Sequence, residues 1–260
     1  MNAAIRWGPN RAVQLLRALR SPIRARHSEL SIISSLDDSP GSPSRDLVEV
    51  VVRAGVRAFD LNLSQFLDRS GPASAFLSVH PGEHYRLLAS LVEDLQPDLA
   101  VEIGTFTGLS ALAILSTLPL RSRLLSYDIV PWNTVPEHAL REGDFRDGRF
   151  EQRIGNLADP NYFHQNAVLL QSASFIFVDG PKDGEFEPKF FELLRALPRT
   201  QPCWLIFDDI RLWKMLGFWR NISLTKFDAT SVGHWSGTGI CLLTPPVGKP
   251  ATPMTPRSAR

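Results

Sequence analysis

The chain is poor in cysteine and has no long apolar runs, and each shortage excludes something. Only two cysteines, Cys203 and Cys241, stand in 260 residues. Both sit in apolar runs that read as strands, so buried free thiols in a reducing compartment are expected rather than a disulfide. No run of 18 or more apolar residues occurs, so an integral membrane segment is not expected. An excess of one charge is lacking too: 28 basic and 27 acidic side chains leave a net charge of +1. Neither nucleic acid nor an anionic membrane is therefore an expected partner. An apolar content of 43% and a charged content of 21% suit a globular chain long enough for one sizeable core.

Acid is missing from one stretch altogether. The first 28 residues carry six arginines and neither Asp nor Glu, and residues 12–20 within them are basic and amphipathic. A transit segment, a membrane-surface or partner helix and a packed peripheral helix all fit this pattern; the last is preferred. A cytoplasmic location follows, with organelle import through the arm left open. Ser39-Pro40-Gly41-Ser42-Pro43-Ser44 is a turn-rich break. It divides a basic arm (1–45) from a main domain with N-terminal helices (46–244), and a polar, proline-rich tail (245–260) is expected to be disordered.

From 46 to 68 apolar residues recur at helical spacing, predicting a helix or helix pair, and a second helix is expected over 82–95 before Pro97. Short apolar runs then alternate with helical segments. Strands are expected over 99–103, 124–127, 150–154, 175–178 and 204–207, then 224–227 and 240–243. The helices between them fall over 109–118, 161–171, 188–197 and 213–221. Continuous apolar strands separated by helices require a sheet covered on both faces. The fold class is α/β: a doubly wound, mostly parallel seven-stranded Rossmann-like sheet with N-terminal helical additions. In such folds ligands bind beyond the carboxyl ends of the strands, so the strand ends hold the candidate site.

The first strand runs into a helix through Glu102-Ile103-Gly104-Thr105-Phe106-Thr107-Gly108-Leu109-Ser110. Glycines at 104 and 108 permit a sharp turn and close approach of a ligand. Their spacing matches neither the dinucleotide nor the triphosphate fingerprint, which disfavours a nicotinamide oxidoreductase. Glu102 suits a cationic group such as the amine of an amino acid. Asp128, at the end of the second strand, is placed to accept the ribose hydroxyls of an adenosine-containing ligand. Tyr127 and Trp132 are aromatic candidates for the adenine, although core packing is their commoner role. Asn156 or Asp159, after the third strand, could meet the adenine edge.

Strands four and five end in Asp179 and in Asp208-Asp209. Three carboxylates on one rim repel unless neutralised, which points to a hard divalent cation such as Mg²⁺. Lys182, three residues after Asp179, is a base candidate if desolvation or the metal lowers its pKa. The competing reading makes Asp208 or Asp209 a helix cap and Lys182 a solvated charge. His234, in Gly233-His234-Trp235, could reach the site mouth, but a buried structural His–Trp pair is the preferred account.

Together these residues resemble the cation-dependent O-methyltransferases, the class I S-adenosylmethionine-dependent group that contains catechol and caffeoyl-CoA methyltransferases. The resemblance spans roughly residues 80–215. It rests on the loop from Val101 to Ser110, on Gly82-Glu83-His84-Tyr85-Arg86 upstream, and on Ser126-Tyr127-Asp128. Phe177-Val178-Asp179 with Lys182, and Asp208-Asp209 with Leu212-Trp213, complete it. It implies that Glu102, Gly104, Thr105, Phe106, Thr107, Gly108, Ser110, Asp128 and Asn156 bind S-adenosylmethionine. It also implies that Asp179, Asp208 and Asp209 hold Mg²⁺, and that Lys182 deprotonates or orients the hydroxyl of a small-molecule acceptor beside Asp179. The family usually has Asp-Asn where this chain has Asp208-Asp209, with one residue fewer before the tryptophan. Asp179-Gly180 and Asp208-Asp209 also look like sugar O-methyltransferases. A metal-independent methyltransferase of the same fold and a non-catalytic scaffold acting through the basic arm are the alternatives. The apolar N-terminal helices are compatible with a homodimer.

Overall fold

The computed structural model describes residues 43–69 and 71–245. Residues 1–42 and 246–260, which hold the basic arm and the proline-rich tail, lie outside the described residues. Seven strands form one sheet: β1 Leu99–Ile103, β2 Arg123–Asp128, β3 Phe150–Ile154, β4 Phe175–Val178, β5 Cys203–Asp208, β6 Thr225–Asp228 and β7 Thr238–Leu243. Their order across the sheet is β3-β2-β1-β4-β5-β7-β6. The first five in that order are parallel, and β7 runs antiparallel to β5 and β6.

Among the described residues six α-helices flank the sheet: α1 Arg45–Arg57, α2 Tyr85–Leu95, α3 Leu109–Thr117, α4 Pro160–Ser172, α5 Phe186–Arg195 and α6 Trp213–Asn221. The period of two along each strand sends alternate side chains to opposite cores. Ala100, Phe175, Phe177 and Ile206 join Val51, Leu88, Leu91 and Ile114 of α1–α3. Val101, Ile176, Leu205 and Phe207 join Phe163, Phe190, Leu194 and Trp219 of α4–α6. With both faces covered, the central strands carry apolar residues without alternation, as the sequence shows.

The helical spacing over 46–68 overstates one element. The helix ends at Arg57, and a single 3₁₀ turn follows at Ser64–Phe66. Asn62 Oδ1 accepts from Ser64 N at 2.8 Å, a local bond that competes with helix continuation. At the other end Ser44 caps the helix by accepting from Leu47 N, the role its type favours. Helix α2 stops at Gln96, which is left-handed at φ 47°.

Two features of this frame position the site. Strand order reverses at β1, which has β2 on one side and β4 on the other, so the loops after β1 and β4 diverge and open a crevice. The segment before α2 also pairs with the segment before β7, Gly82 N donating to Gly233 O and Trp235 N to Gly82 O, each at 3.0 Å.

Candidate active site

The loop after β1 is held from three directions. Gly104 adopts φ 95°, and an added Cβ would lie 2.1 Å from the Asp179 carbonyl oxygen, so only glycine fits the crossing of the β1 and β4 ends. At Gly108, φ 81°, a Cβ would meet the Leu140 side chain at 2.3 Å. From the β2 side, Asp128 Oδ2 accepts from the amides of Thr105 (2.9 Å) and Phe106 (3.0 Å), while Oδ1 accepts from Ile129 and Val130. Those four bonds fill the acceptor sites of a carboxylate. From beneath, Glu102 accepts from the Ser126 hydroxyl, which also bonds Thr105 Oγ1.

A cavity of about 700 Å³ opens at this crevice, a size usual for small-molecule sites. Gly104, Phe106, Asp128, Asn156, Asp179 and Lys182 are on its wall. So are Ile129 and Val130, which with Phe106 are exposed apolar side chains, at 72%, 45% and 67%. Apolar surface left open to water in a concave setting marks a ligand site.

The acidic rim adjoins this cavity. One carboxylate oxygen each from Asp179, Asp208 and Asp209 lies within 4.8 Å of the others. Lys182 pairs with Asp179 and, at 2.9 Å, with Asp209. Its own backbone N–H is held by Glu187 Oε1 at 2.9 Å. His234 Nδ1 lies 3.1 Å from Asp208 and 3.4 Å from Asp209, and Ser236 donates to Asp209. Phe106, Lys182 and Asp209 have φ of 41°, 50° and 60°, a backbone that side chains adopt at about 1–3 kcal/mol and that clusters at functional sites.

Charge balance follows from these contacts. Burial opposes the ammonium of Lys182, but Asp179, Asp208 and Asp209 outweigh it and hold its pKa above the ordinary value. Burial also opposes the His234 imidazolium, yet hydrogen bonds to Asp208 and Asp209 raise it to about 10. Asp179 is pushed up by burial and by Asp208, against Lys182. Burial alone would raise Asp208, but the charges of His84 and His234 and the hydrogen bond with His234 bring it below its ordinary value. Glu102 is pushed up to about 7 by burial, against the Ser110 and Ser126 hydroxyls.

Residues 101–210, which hold the glycine loop and the rim, match the family model described as "Methyltransferase domain". The match covers less than half of the chain, and this stretch is similar to methyltransferase domains. No curated protein matches the chain. Among solved structures, a methyltransferase from Geobacter sulfurreducens is 20% identical, covering 61% of this chain and 78% of its own at TM-score 0.47. An O-methyltransferase from Bacillus cereus, in complex with SAH, is 18% identical over 78% of this chain and 92% of its own, TM-score 0.48. The O-methyltransferase TomG from Streptomyces achromogenes, in complex with SAM, is 19% identical over 86% and 96%, TM-score 0.46.

Within this stretch the expected residues divide by whether they reach the cavity wall. Gly104, Phe106, Asp128, Asn156, Asp179 and Lys182 are on the cavity wall. Glu102 and Thr105 are buried at 0% and 1%, and with Thr107, Gly108, Ser110, Asp208 and Asp209 they are absent from the wall. Glu102 therefore supports the loop from below rather than facing a cationic amine. The carboxylate partners of Lys182 strengthen its ammonium against the effect of burial. Asp208 and Asp209 are rim residues, not helix caps; Asp159 is the cap, bonding the first amides of α4. Tyr127 is buried and donates to Asn166 Oδ1 but also lies on the cavity wall, whereas Trp132 is absent from the wall and stacks on Phe145. The preferred account of His234 is overturned: it faces the rim carboxylates, and Trp235 is 74% exposed. His84, Glu83, Ser236 and Glu187 were not singled out as site residues. In the sequence the available signal for two of them is a His beside an acid, Glu83-His84, in the segment before α2.

Proposed function

We propose that this chain transfers a methyl group from S-adenosylmethionine to a hydroxyl oxygen of a small molecule, with assistance from a divalent cation. The observation that carries the reading is the shared cavity, whose wall joins the glycine loop and Asp128 to Asp179 and Lys182. A donor seated on the loop would lie beside groups able to manage a proton. The apolar surface of Phe106, Ile129 and Val130 suits a flat base, and Asn156 stands at the same wall. Asp128 reaches a ribose hydroxyl only by sharing acceptor sites now used by four backbone amides.

The sulfonium supplies an activated methyl group, so the chain's task is alignment and charge control. Lys182 orients the acceptor oxygen and stabilises negative charge on it. Asp179, whose carboxylate is made more basic by burial and by Asp208, takes the hydroxyl proton as the oxygen attacks carbon. Asp179, Asp208 and Asp209 form an all-oxygen donor set suited to a hard cation. A bound Mg²⁺ would lower the pKa of the acceptor hydroxyl. Holding it there requires the Lys182 ammonium to give up a carboxylate.

One observation favours a second reading, a metal-independent methyltransferase: Lys182 and the imidazoles already offset the rim's negative charge. Label transfer from methyl-labelled S-adenosylmethionine to catechol and to a vicinal diol sugar, with and without chelator, separates the two. Transfer lost in chelator and restored by a divalent cation supports the metal-assisted reaction; full transfer in chelator supports the second reading. No transfer to any hydroxyl acceptor contradicts both. Lys182→Ala is expected to lower turnover by about 10²–10⁴-fold, with binding of S-adenosylhomocysteine retained.

A further inference from the structure

His84 is 4% exposed, and neither of its ring nitrogens makes a hydrogen bond among the described residues. A buried imidazole with no hydrogen bond on either nitrogen is costly, and it is aimed at the rim: Nδ1 lies 3.5 Å from Asp208 Oδ1, within ion-pair reach. His234 Nδ1 hydrogen-bonds the same oxygen at 3.1 Å and the Ser236 hydroxyl at 2.8 Å, bonds that an ion would replace. The two rings are 5.3 Å apart and inclined at 80°, so they converge on Asp208 from different directions. One ligand atom from each of the three residues lies within 4.8 Å of the other two.

These spacings are those of donors around one ion. Two donors bound tetrahedrally at about 2.0–2.1 Å lie about 3.3 Å apart, and the observed 3.1 and 3.5 Å bracket that value. The outer groups fit too. A ligating histidine usually presents its other ring nitrogen to a carboxylate, and His234 Nε2 faces Glu83 Oε2 at 3.6 Å. Lys182 meanwhile pairs with Asp179 and Asp209, so an ion on the imidazoles and Asp208 leaves that pairing undisturbed.

We propose that His84, Asp208 and His234 form a binding site for a divalent transition metal that prefers mixed nitrogen and oxygen ligands, such as Zn²⁺. The assignment deepens the proposed function, because Asp208 belongs to both donor sets and the imidazoles would then choose the metal. Two nitrogens and one carboxylate favour zinc or its neighbours, whereas magnesium prefers oxygen alone. Three protein ligands also leave a position for water or an acceptor oxygen, as catalytic sites require.

The test is a titration of the metal-stripped full chain with Co²⁺, followed by visible absorption, then by Zn²⁺ and Mg²⁺ as competitors. A ligand-field band displaced by Zn²⁺ but not by a large excess of Mg²⁺ is expected. His234→Ala, at a half-buried position, should weaken Co²⁺ binding by more than the about 10–100-fold that loss of an outer partner costs. Glu83→Gln should fall inside that range, and Asp179→Asn should keep the band. Absence of a band, or a band that survives His234→Ala and is lost in Asp179→Asn, overturns the proposal. His84→Ala is informative only if its circular dichroism is native, and so is secondary to His234→Ala. Binding of S-adenosylhomocysteine to the metal-free chain is read separately, so failure of the metal site and failure of the methyl-donor reading remain distinguishable.

Discussion

Glu102 shows how far a residue's position and its role can part. It stands where the sequence places it, at the end of β1, yet its carboxylate is sealed under the loop, with Oε1 unpartnered and burial raising its pKa to about 7. An acid whose folded pKa lies above its unfolded one, 4.5 here, binds more protons folded than unfolded between the two values. Stability from this group is therefore present at low pH, falls as pH rises from 4.5 to about 7, and stays lost above. Glu102→Gln is expected to flatten that slope and to raise stability at pH 8 by on the order of 3 kcal/mol. Denaturant titration at pH 5 and pH 8 measures it; equal effects at both would contradict the buried-charge account. Asp128 shows the same separation, since a strand end dictates where an acid sits but not which amides will meet it.

At the level of elements, the loop from Glu102 to Ser110 and the strands around it were legible because glycine spacing and apolar runs are local signals. Gly104→Ala tests the loop's reading directly. It places a methyl group 2.1 Å from the Asp179 oxygen on a backbone at φ 95°, and a cost of about 2–4 kcal/mol is expected by chemical denaturation. Gly143→Ala, where nothing lies within 4 Å, is expected to change stability by less than about 1 kcal/mol. Similar losses in the two variants would refute the close crossing of β1 and β4. The histidine pair was not legible. His84 and His234 meet Asp208 only because the segments before α2 and β7 pair through Gly82, a contact across the chain that no local pattern announces. Lys226 in β6 was likewise silent: it is fully buried and donates to Trp219 O and Arg220 O at the end of α6, satisfying carbonyls that a helix terminus leaves over.

For the whole molecule, the reversal of strand order at β1 puts the glycine loop, the acid-bearing ends of β2, β4 and β5, and the cavity at one edge. That gathering was foreseeable from strand alternation, because a doubly wound sheet has one such crevice. The identity of the neutralising cations was not, since it depends on side chains converging from four separate segments. The central claim is that this cavity takes S-adenosylmethionine, and thermal unfolding of the purified chain with S-adenosylhomocysteine tests it most directly. At about one hundred times its dissociation constant the ligand should stabilise the fold by about 2.7 kcal/mol, a rise of several degrees for a chain this size, with NADH at the same concentration giving none. A cooperative transition left unmoved by S-adenosylhomocysteine, or moved equally by NADH, would contradict the account.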